Sequence, residues 1–149
     1  MKKLKTTALV LTILFYAASC KTHDNSPSTL MQIQNKWIID SAILYDNAQM
    51  SGPGYKVEAL TGYSDFRSDN RSYEFSSARV GGIMETSYDT SSYSLTSDNK
   101  QMISVPLVNG RPTSSSDTFN IMLLTDKNLV FSQISLSGAG ANGKIYYHR

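Results

Sequence analysis

The sequence is poor in the residues from which metal and redox sites are most often built. Among its 149 residues there are one cysteine and two histidines. A zinc site needs three or four protein ligands at short spacing, and His23 and His148 lie far apart in the sequence. No metal site and no cofactor is therefore expected. The single thiol, Cys20, also excludes an internal disulfide.

Long hydrophobic runs are equally scarce. The longest is Ala8–Ala18, eleven residues that only Thr12 interrupts, and it follows the basic start Met1–Lys5. A helix that crosses a bilayer needs about 20 apolar residues, so this stretch is too short for an ordinary membrane span. A charged start, a short apolar core and small residues at its end are typical of a secretory signal. The small residues, Ala17–Ser19, end at Cys20.

This segment resembles a bacterial lipoprotein signal, in which small residues precede an invariant cysteine. Ala17 stands where that signal prefers leucine. The resemblance implies that residues 1–19 are removed and that Cys20 becomes an acylated N-terminus. The alternative is an ordinary secretory signal with an incidental cysteine, but acylation explains a lone cysteine in an exported chain. Two or more acyl chains, at about 0.8 kcal/mol per buried CH₂, make a stable anchor. We therefore expect the membrane to be a partner and the bacterial cell envelope, at the outer membrane, to be the location.

The charge balance argues against nucleic acid as a partner. The full chain has 14 basic and 12 acidic residues, but Lys2, Lys3 and Lys5 leave with the signal, and 11 basic residues remain. The mature chain is thus nearly neutral, and its basic residues are scattered. A nucleic-acid-binding protein should present a clustered basic face.

The mature chain reads as a tether followed by one all-β domain. Residues 20–29 are polar and lack periodicity, as expected of a disordered spacer, and residues 30–149 make one domain of ordinary size. Leu30–Ile33 predicts a single helical turn capped by Ser28 or Thr29. The rest is a series of short β-rich runs separated by turns such as 68–71, 97–100 and Asn109–Gly110. The predicted strands are 37–45, 62–67, 72–76, 83–88 with 90–96 (two strands or one long bent strand), 101–108, 118–124, 129–136 and 144–148.

Eight or nine short strands with turns about every 8–12 residues are typical of a sandwich or barrel. The connections are too short for helical crossovers, so an antiparallel up-and-down meander is the simplest topology. Closing it into a barrel removes exposed strand edges. In such a barrel the first strand, which we expect to show Trp37, Ile39, Ile43 and Tyr45 on one face, lies beside the last strand. An eight-stranded barrel is filled by side chains or holds one small ligand.

Two segments carry a further resemblance. Asn35–Ile39, with Trp37 at the start of a strand, and Phe119–Phe131, a hairpin of apolar strands, are similar to the small lipocalin-like domains in lipoproteins of Bacteroidetes-type bacteria. Asn35 departs from the glycine that true lipocalins place two residues before the tryptophan. The resemblance implies a barrel with Trp37 low in its interior and no shared catalytic residues.

Three other patterns have simpler explanations. The run Gly138–Lys144 matches phosphate-binding glycine loops, but those must open a helix, and the strand-like Ile145–Tyr147 follows. Asp65, Asp69 and Asn70 would suit calcium, yet turn residues commonly bond their own backbone. Serines lie in polar runs without an adjacent base and orienting group.

We therefore expect a protein that is not an enzyme and that binds a small apolar or amphipathic ligand, such as a fatty acid or isoprenoid, in its barrel. One alternative is a packed barrel that serves as a protein or glycan interaction module at the outer membrane or cell surface, with protein partners unspecified. A weaker alternative is a hydrolase on a β scaffold. The residues expected to line a hollow barrel are Trp37, Ile39, Tyr45, Tyr73, Phe75, Tyr93, Phe119 and Ile121.

Overall fold

The computed structural model describes residues 27–45, 49–80, 82–133 and 142–149. The predicted signal, Cys20, most of the tether and residues 138–141 of the glycine-rich run lie outside the described residues. No helix within the described ranges is long and apolar enough to cross a membrane. The described elements are α1 (Thr29–Ile33), β1 (Lys36–Tyr45), β2 (Tyr55–Lys56), β3 (Thr61–Phe66), β4 (Arg71–Val80), β5 (Ile83–Leu95), β6 (Gln101–Val108), β7 (Arg111–Pro112), β8 (Asp117–Leu124), β9 (Asn128–Gln133) and β10 (Asn142–His148).

The strands form a closed antiparallel barrel. Eight strands, β1, β3–β6 and β8–β10, follow one another around it in chain order. β10 then pairs with β1 from Ile38 opposite His148 to Tyr45 opposite Asn142, which joins the last strand to the first. The two-residue strands β2 and β7 pair with the ends of β1 and β6. The predicted all-β, up-and-down barrel is thus confirmed, and so is the pairing of the first strand with the last.

Local turn chemistry explains why the strands end where they do. Asn109 and Gly110 both have positive φ, 51° and 75°, as a two-residue hairpin turn requires, and β6 pairs with β7 across them. Asn70 and Asn99 adopt the same left-handed conformation in the turns predicted around them. The helical turn is also confirmed, because the Ser28 side chain accepts a hydrogen bond from the Met31 amide.

The β4–β5 hairpin is longer than predicted. The sequence places the end of β4 at Ser76, but β4 runs to Val80, which lies opposite Ile83. Residues 77–79 have little strand preference of their own, and the pairing with β5 holds them in the sheet. The residues from Ile83 to Leu95 form one strand. Of the two arrangements predicted for this stretch, the single long strand is therefore the one observed.

A β-bulge in β1 reverses which side chains face the interior. The pairing with β10 shifts between Ile39 and Ser41, and a bulge inserts one residue into the alternation. Trp37 and Ile39 point inward before the bulge, but Ala42 and Leu44 do so after it. The prediction that Ile43 and Tyr45 share the face of Trp37 is therefore wrong.

One end of the barrel, here called the closed end, is filled by side chains. Trp37 is fully buried there, and its indole N–H donates to the Ile33 carbonyl at 2.9 Å. The Arg149 guanidinium lies 5.0 Å from the centre of the Trp37 ring. The buried core comprises Ile33, Trp37, Phe66, Tyr93, Met102, Leu129, Phe131 and Tyr147.

Candidate functional site

Beyond the core, towards the opposite, open end, the inward positions become polar. Strand register shows which residues these are: Ser64 lies opposite Glu74, and Glu74 lies opposite Asp89. Because Ser64 also pairs with the inward Trp37, the whole row faces the interior. The same alternation brings Ser76 inward, one position closer to the open end.

A cavity of about 180 Å³ lies beside this polar row. β1 and β3 pair only over Lys36–Ile38, and beyond that point Val57, whose amide donates to the Ala42 carbonyl, lines the cavity between them. One wall is apolar and the other is polar. The apolar wall is made by Ile39, Ala42, Val57, Leu60 and Ile145, and the polar wall includes Ser64, Glu74, Ser76, Asp89 and Tyr147.

A second cavity of about 160 Å³ adjoins the first on the side of the core. Glu74, Ile145 and Tyr147 line both cavities. The Glu74 carboxylate is consequently placed between the two spaces. The remaining walls of the second cavity are Phe66, Met102, Phe119, Phe131 and Gln133.

Electrostatics at Glu74 disfavour its charged form. Burial raises the pKa of Glu74, and the nearby carboxylates of Asp89 and Asp117 raise it further. The Ser72 hydroxyl, two residues away on the same face of β4, offsets part of this rise in the pKa. Although it is close to Glu74, the buried Ser72 Oγ makes no hydrogen bond of normal geometry with any described residue.

Tyr147 completes the polar side of the cavity. Its hydroxyl oxygen accepts a hydrogen bond from Ser64 Oγ at 3.4 Å. Burial, together with the negative charge of Glu74, raises the pKa of the Tyr147 phenol. The phenol therefore stays neutral near pH 7 and keeps its proton available for a hydrogen bond.

Basic side chains lie on the outside of the barrel. Lys36 sits 3.9 Å from the centre of the Tyr63 ring, Arg67 pairs with Asp65 at 3.0 Å, and Lys144 lies over Tyr45. No lysine, arginine or histidine lines either cavity in the described part of the chain. The two cavities thus contain carboxylates without a basic counter-charge.

The sequence-predicted lining residues divide into three groups. Ile39 lines the first cavity and Phe119 the second. Trp37 and Tyr93 are buried in the core at the closed end, and Ile121 packs against that core. Tyr45 and Tyr73 lie on the outer face, and so does Phe75, although Phe75 also lines part of the first cavity.

The side chain of Phe75 points out of the barrel although Phe75 was predicted to line its interior. It borders the first cavity, yet the pairing puts its side chain on the face opposite Glu74. There its ring stacks between Tyr63 and Tyr88, at centroid distances of 5.8 Å and 4.9 Å. Tyr73 points the same way and packs under the Arg67 guanidinium at 4.1 Å.

Glu74 and Asp89 are the site residues that the sequence analysis did not find. In β4 the aromatics Tyr73 and Phe75 alternate with Ser72 and Glu74, and the usual rule turns the aromatic face inward. The feature of the sequence that indicates which face of β4 points inward is the turn after Phe66. Because the buried Phe66 lies opposite Ser72, Ser72 and every second residue after it must face inward.

The acidic turn considered for calcium has another structure. Asp69 Oδ1 accepts a hydrogen bond from the Arg71 amide at 3.1 Å, and Asp65 pairs with Arg67. No group of three or more histidine, cysteine or acidic residues in the described ranges could hold a metal. The glycine-rich run leads into a strand, since Asn142–Lys144 belong to β10.

No protein-family model matches the sequence, and no curated protein does either. Among solved structures, a complex of bovine odorant-binding protein with a selenium-containing odorant is similar at 12% identity, covering 77% of this chain and 71% of that one, with a TM-score of 0.46. Hamster aphrodisin is similar at 12% identity, 78% and 74% coverage and 0.46, and the siderocalin Ex-FABP at 7%, 78% and 72%, and 0.38. These TM-scores are below 0.5, and the fold of this chain is established by its own strand pairing.

Proposed function

We propose that this protein is an envelope-anchored, lipocalin-like lipoprotein that binds one small ligand inside its barrel and catalyses no reaction. The observation that carries the proposal is the pair of adjoining cavities in a closed barrel whose other end is packed. A closed end holds the ligand, and an open end admits it.

Cavity size sets the scale of the ligand. An apolar cavity of about 150 Å³ holds benzene, and the first cavity is about 180 Å³. Pockets for drug-sized molecules are larger, about 300–1,000 Å³. The ligand we propose occupies the first cavity, and it is accordingly a single ring or short branched chain with one polar group, smaller than the fatty acid or isoprenoid expected from the sequence.

The membrane anchor in this proposal is Cys20. Its support is the short apolar run, the small residues before Cys20 and the absence of any other cysteine. The tether that follows, residues 21–29, reaches at most about 3.3–3.6 Å per residue. The barrel therefore stays within roughly 30 Å of the membrane surface, close to molecules that cross or leave it.

A second candidate function, an interaction module, is favoured by the outer face. Tyr88 is 77% exposed and Ile83 70% exposed on β5, and Tyr88 extends the ring stack of Tyr63 and Phe75. Exposed aromatic side chains are enriched at protein interfaces. The interior cavity distinguishes the two functions, because an interaction module has no need of it.

Binding of 2-phenylethanol to the mature protein in nanodiscs tests the proposal. This neutral probe matches the first cavity in size, and we expect saturable binding by titration calorimetry. Ala42→Phe places a ring in the cavity and should abolish binding, whereas Ser97→Phe, which adds a ring at an exposed turn position, should leave it unchanged. Equal binding by both variants, or no binding to the unmodified protein, would contradict the proposal.

A further inference from the structure

The inside of the barrel holds two carboxylates that face each other, and among the described residues only one of them, Asp89, accepts a side-chain hydrogen bond. Glu74 and Asp89 face the first cavity from adjacent strands, and an ionised carboxylate only accepts hydrogen bonds. Ser87 Oγ donates to Asp89, and Gln133 donates to Asp117 at 2.9 Å. Glu74 has no such partner among the described hydrogen bonds.

Beneath Glu74 the structure leaves a second polar group without a partner. Ser72 is 1% exposed, faces inward opposite Phe66, and its Oγ makes no hydrogen bond with the residues that the structure describes. Buried polar groups are almost always hydrogen-bonded, and an exception calls for an explanation. The Ser72 hydroxyl lies close enough to the Glu74 carboxylate to lower its pKa, so a cation bound at Glu74 would have this hydroxyl beside the same carboxylate.

We infer that the ligand is a small organic cation, an amine whose ammonium group binds Glu74 between the two cavities while its apolar body lies against Ile39, Ala42 and Ile145. This inference rests on the proposed function and specifies its ligand class. An ammonium group brings three donors and a positive charge and needs no acceptor on the protein to donate in return.

Other ligand classes fit the same surroundings less well. A carboxylate ligand brings no donor and is repelled by Glu74, Asp89 and Asp117. Calcium and magnesium take six or more oxygen ligands, whereas one wall of the first cavity is apolar, and the described residues hold no cluster of three or more metal ligands. An alcohol brings one donor and no charge, and binds more weakly than the amine.

The comparison of three probes of one shape tests the inference. We expect 2-phenylethylammonium to bind the mature protein at least about tenfold more tightly than 2-phenylethanol at pH 8, as charge-assisted hydrogen bonds are the stronger ones. Phenylacetate should bind more weakly than the alcohol. All three affinities come from titration calorimetry in nanodiscs without anionic lipid, so that the membrane itself does not collect the amine.

Substitution of Glu74 then locates the cation. Glu74→Gln keeps the shape of the side chain and should weaken amine binding at least about tenfold while leaving alcohol binding nearly unchanged. Asp89→Asn should weaken amine binding less. Glu58→Gln, an exposed glutamate outside the barrel, serves as the matched control and should change neither affinity.

A pH series provides an independent readout. The titratable groups that face Glu74 are Asp89 on β5, Asp117 on β8 and Tyr147 on β10; β3 contributes only Ser64. Because an amine binds the ionised carboxylate, its affinity should rise as pH increases from 5 to 8, with proton release that disappears in Glu74→Gln. The alcohol should show no such dependence.

The outcomes separate the inference from the proposed function. If the alcohol binds saturably but the amine gains nothing from its charge, or keeps its affinity in Glu74→Gln, the amine inference is wrong and the ligand-binding barrel stands. If none of the probes binds, both are wrong.

Discussion

Glu74 and Asp89 lie directly opposite each other on neighbouring strands, and both side chains face the inside of the barrel. Like charges in opposed positions destabilise a sheet, and burial makes the charged form of Glu74 still less favourable. No basic side chain lines the cavity among the described residues. The pair therefore lowers the stability of the empty barrel, and a bound cation would relieve that repulsion.

The first prediction concerns the pH dependence of stability. The pKa of Glu74 is raised above its ordinary value of 4.5, so the folded state holds this proton more tightly than the unfolded state does. The stability that protonated Glu74 contributes to the fold is fully present below pH 4.5, and it is lost as pH rises through the pKa of Glu74 in the folded state. At pH 7 Glu74→Gln should thus increase the free energy of unfolding by about 1 kcal/mol, the scale of an opposed like-charge pair.

Urea unfolding of both proteins between pH 4 and pH 8 measures this effect. The difference between Glu74→Gln and the unmodified protein should grow with pH and should be close to zero at pH 4. Glu58→Gln is the control for removal of an exposed charge. If the Glu74→Gln protein is less stable than the unmodified one at pH 7, the ionised Glu74 carboxylate must have stabilising partners in the ligand-free barrel, and the prediction is wrong.

The second prediction tests the assignment of inner and outer faces. Phe75→Ala removes a ring that lies between Tyr63 and Tyr88 on the outside and should cost about 1 kcal/mol, the value of such ring contacts. Trp37→Ala removes a fully buried ring and should cost about 3–5 kcal/mol. Equal losses in chemical unfolding would place Phe75 inside and overturn the register of β4.

The third prediction concerns the anchor. Cys20→Ser should abolish incorporation of labelled palmitate and prevent processing before residue 20, because acylation requires the thiol. Ser19→Ala keeps a small residue before Cys20 and should be labelled normally. Palmitate labelling of Cys20→Ser, with retention in the detergent phase, would move the anchor elsewhere.

Much of the fold is predictable because it is specified locally. Asn70, Asn99 and Asn109–Gly110 adopt the left-handed conformations that asparagine and glycine tolerate best. The strands between them follow from their β-branched and aromatic residues. Chain order and the need to cover strand edges then lead to a closed meander.

The site is less predictable because it depends on register. The bulge between Ile39 and Ser41 turns Tyr45 outward, and nothing in those residues marks it. The pairing of Phe66 with Ser72 turns Tyr73 and Phe75 outward and Glu74 inward. Hydrophobicity alone ranks these residues the other way round, since an aromatic ring is normally the better core residue.

The most direct test of the central claim is a crystal structure of the mature protein with 2-phenylethylammonium bound. We expect the ammonium nitrogen within about 3 Å of a Glu74 carboxylate oxygen, with the ring between Ile39, Ala42 and Ile145. A closed barrel whose interior is empty at saturating amine, or an amine bound only on the outer face beside Tyr88, would contradict it.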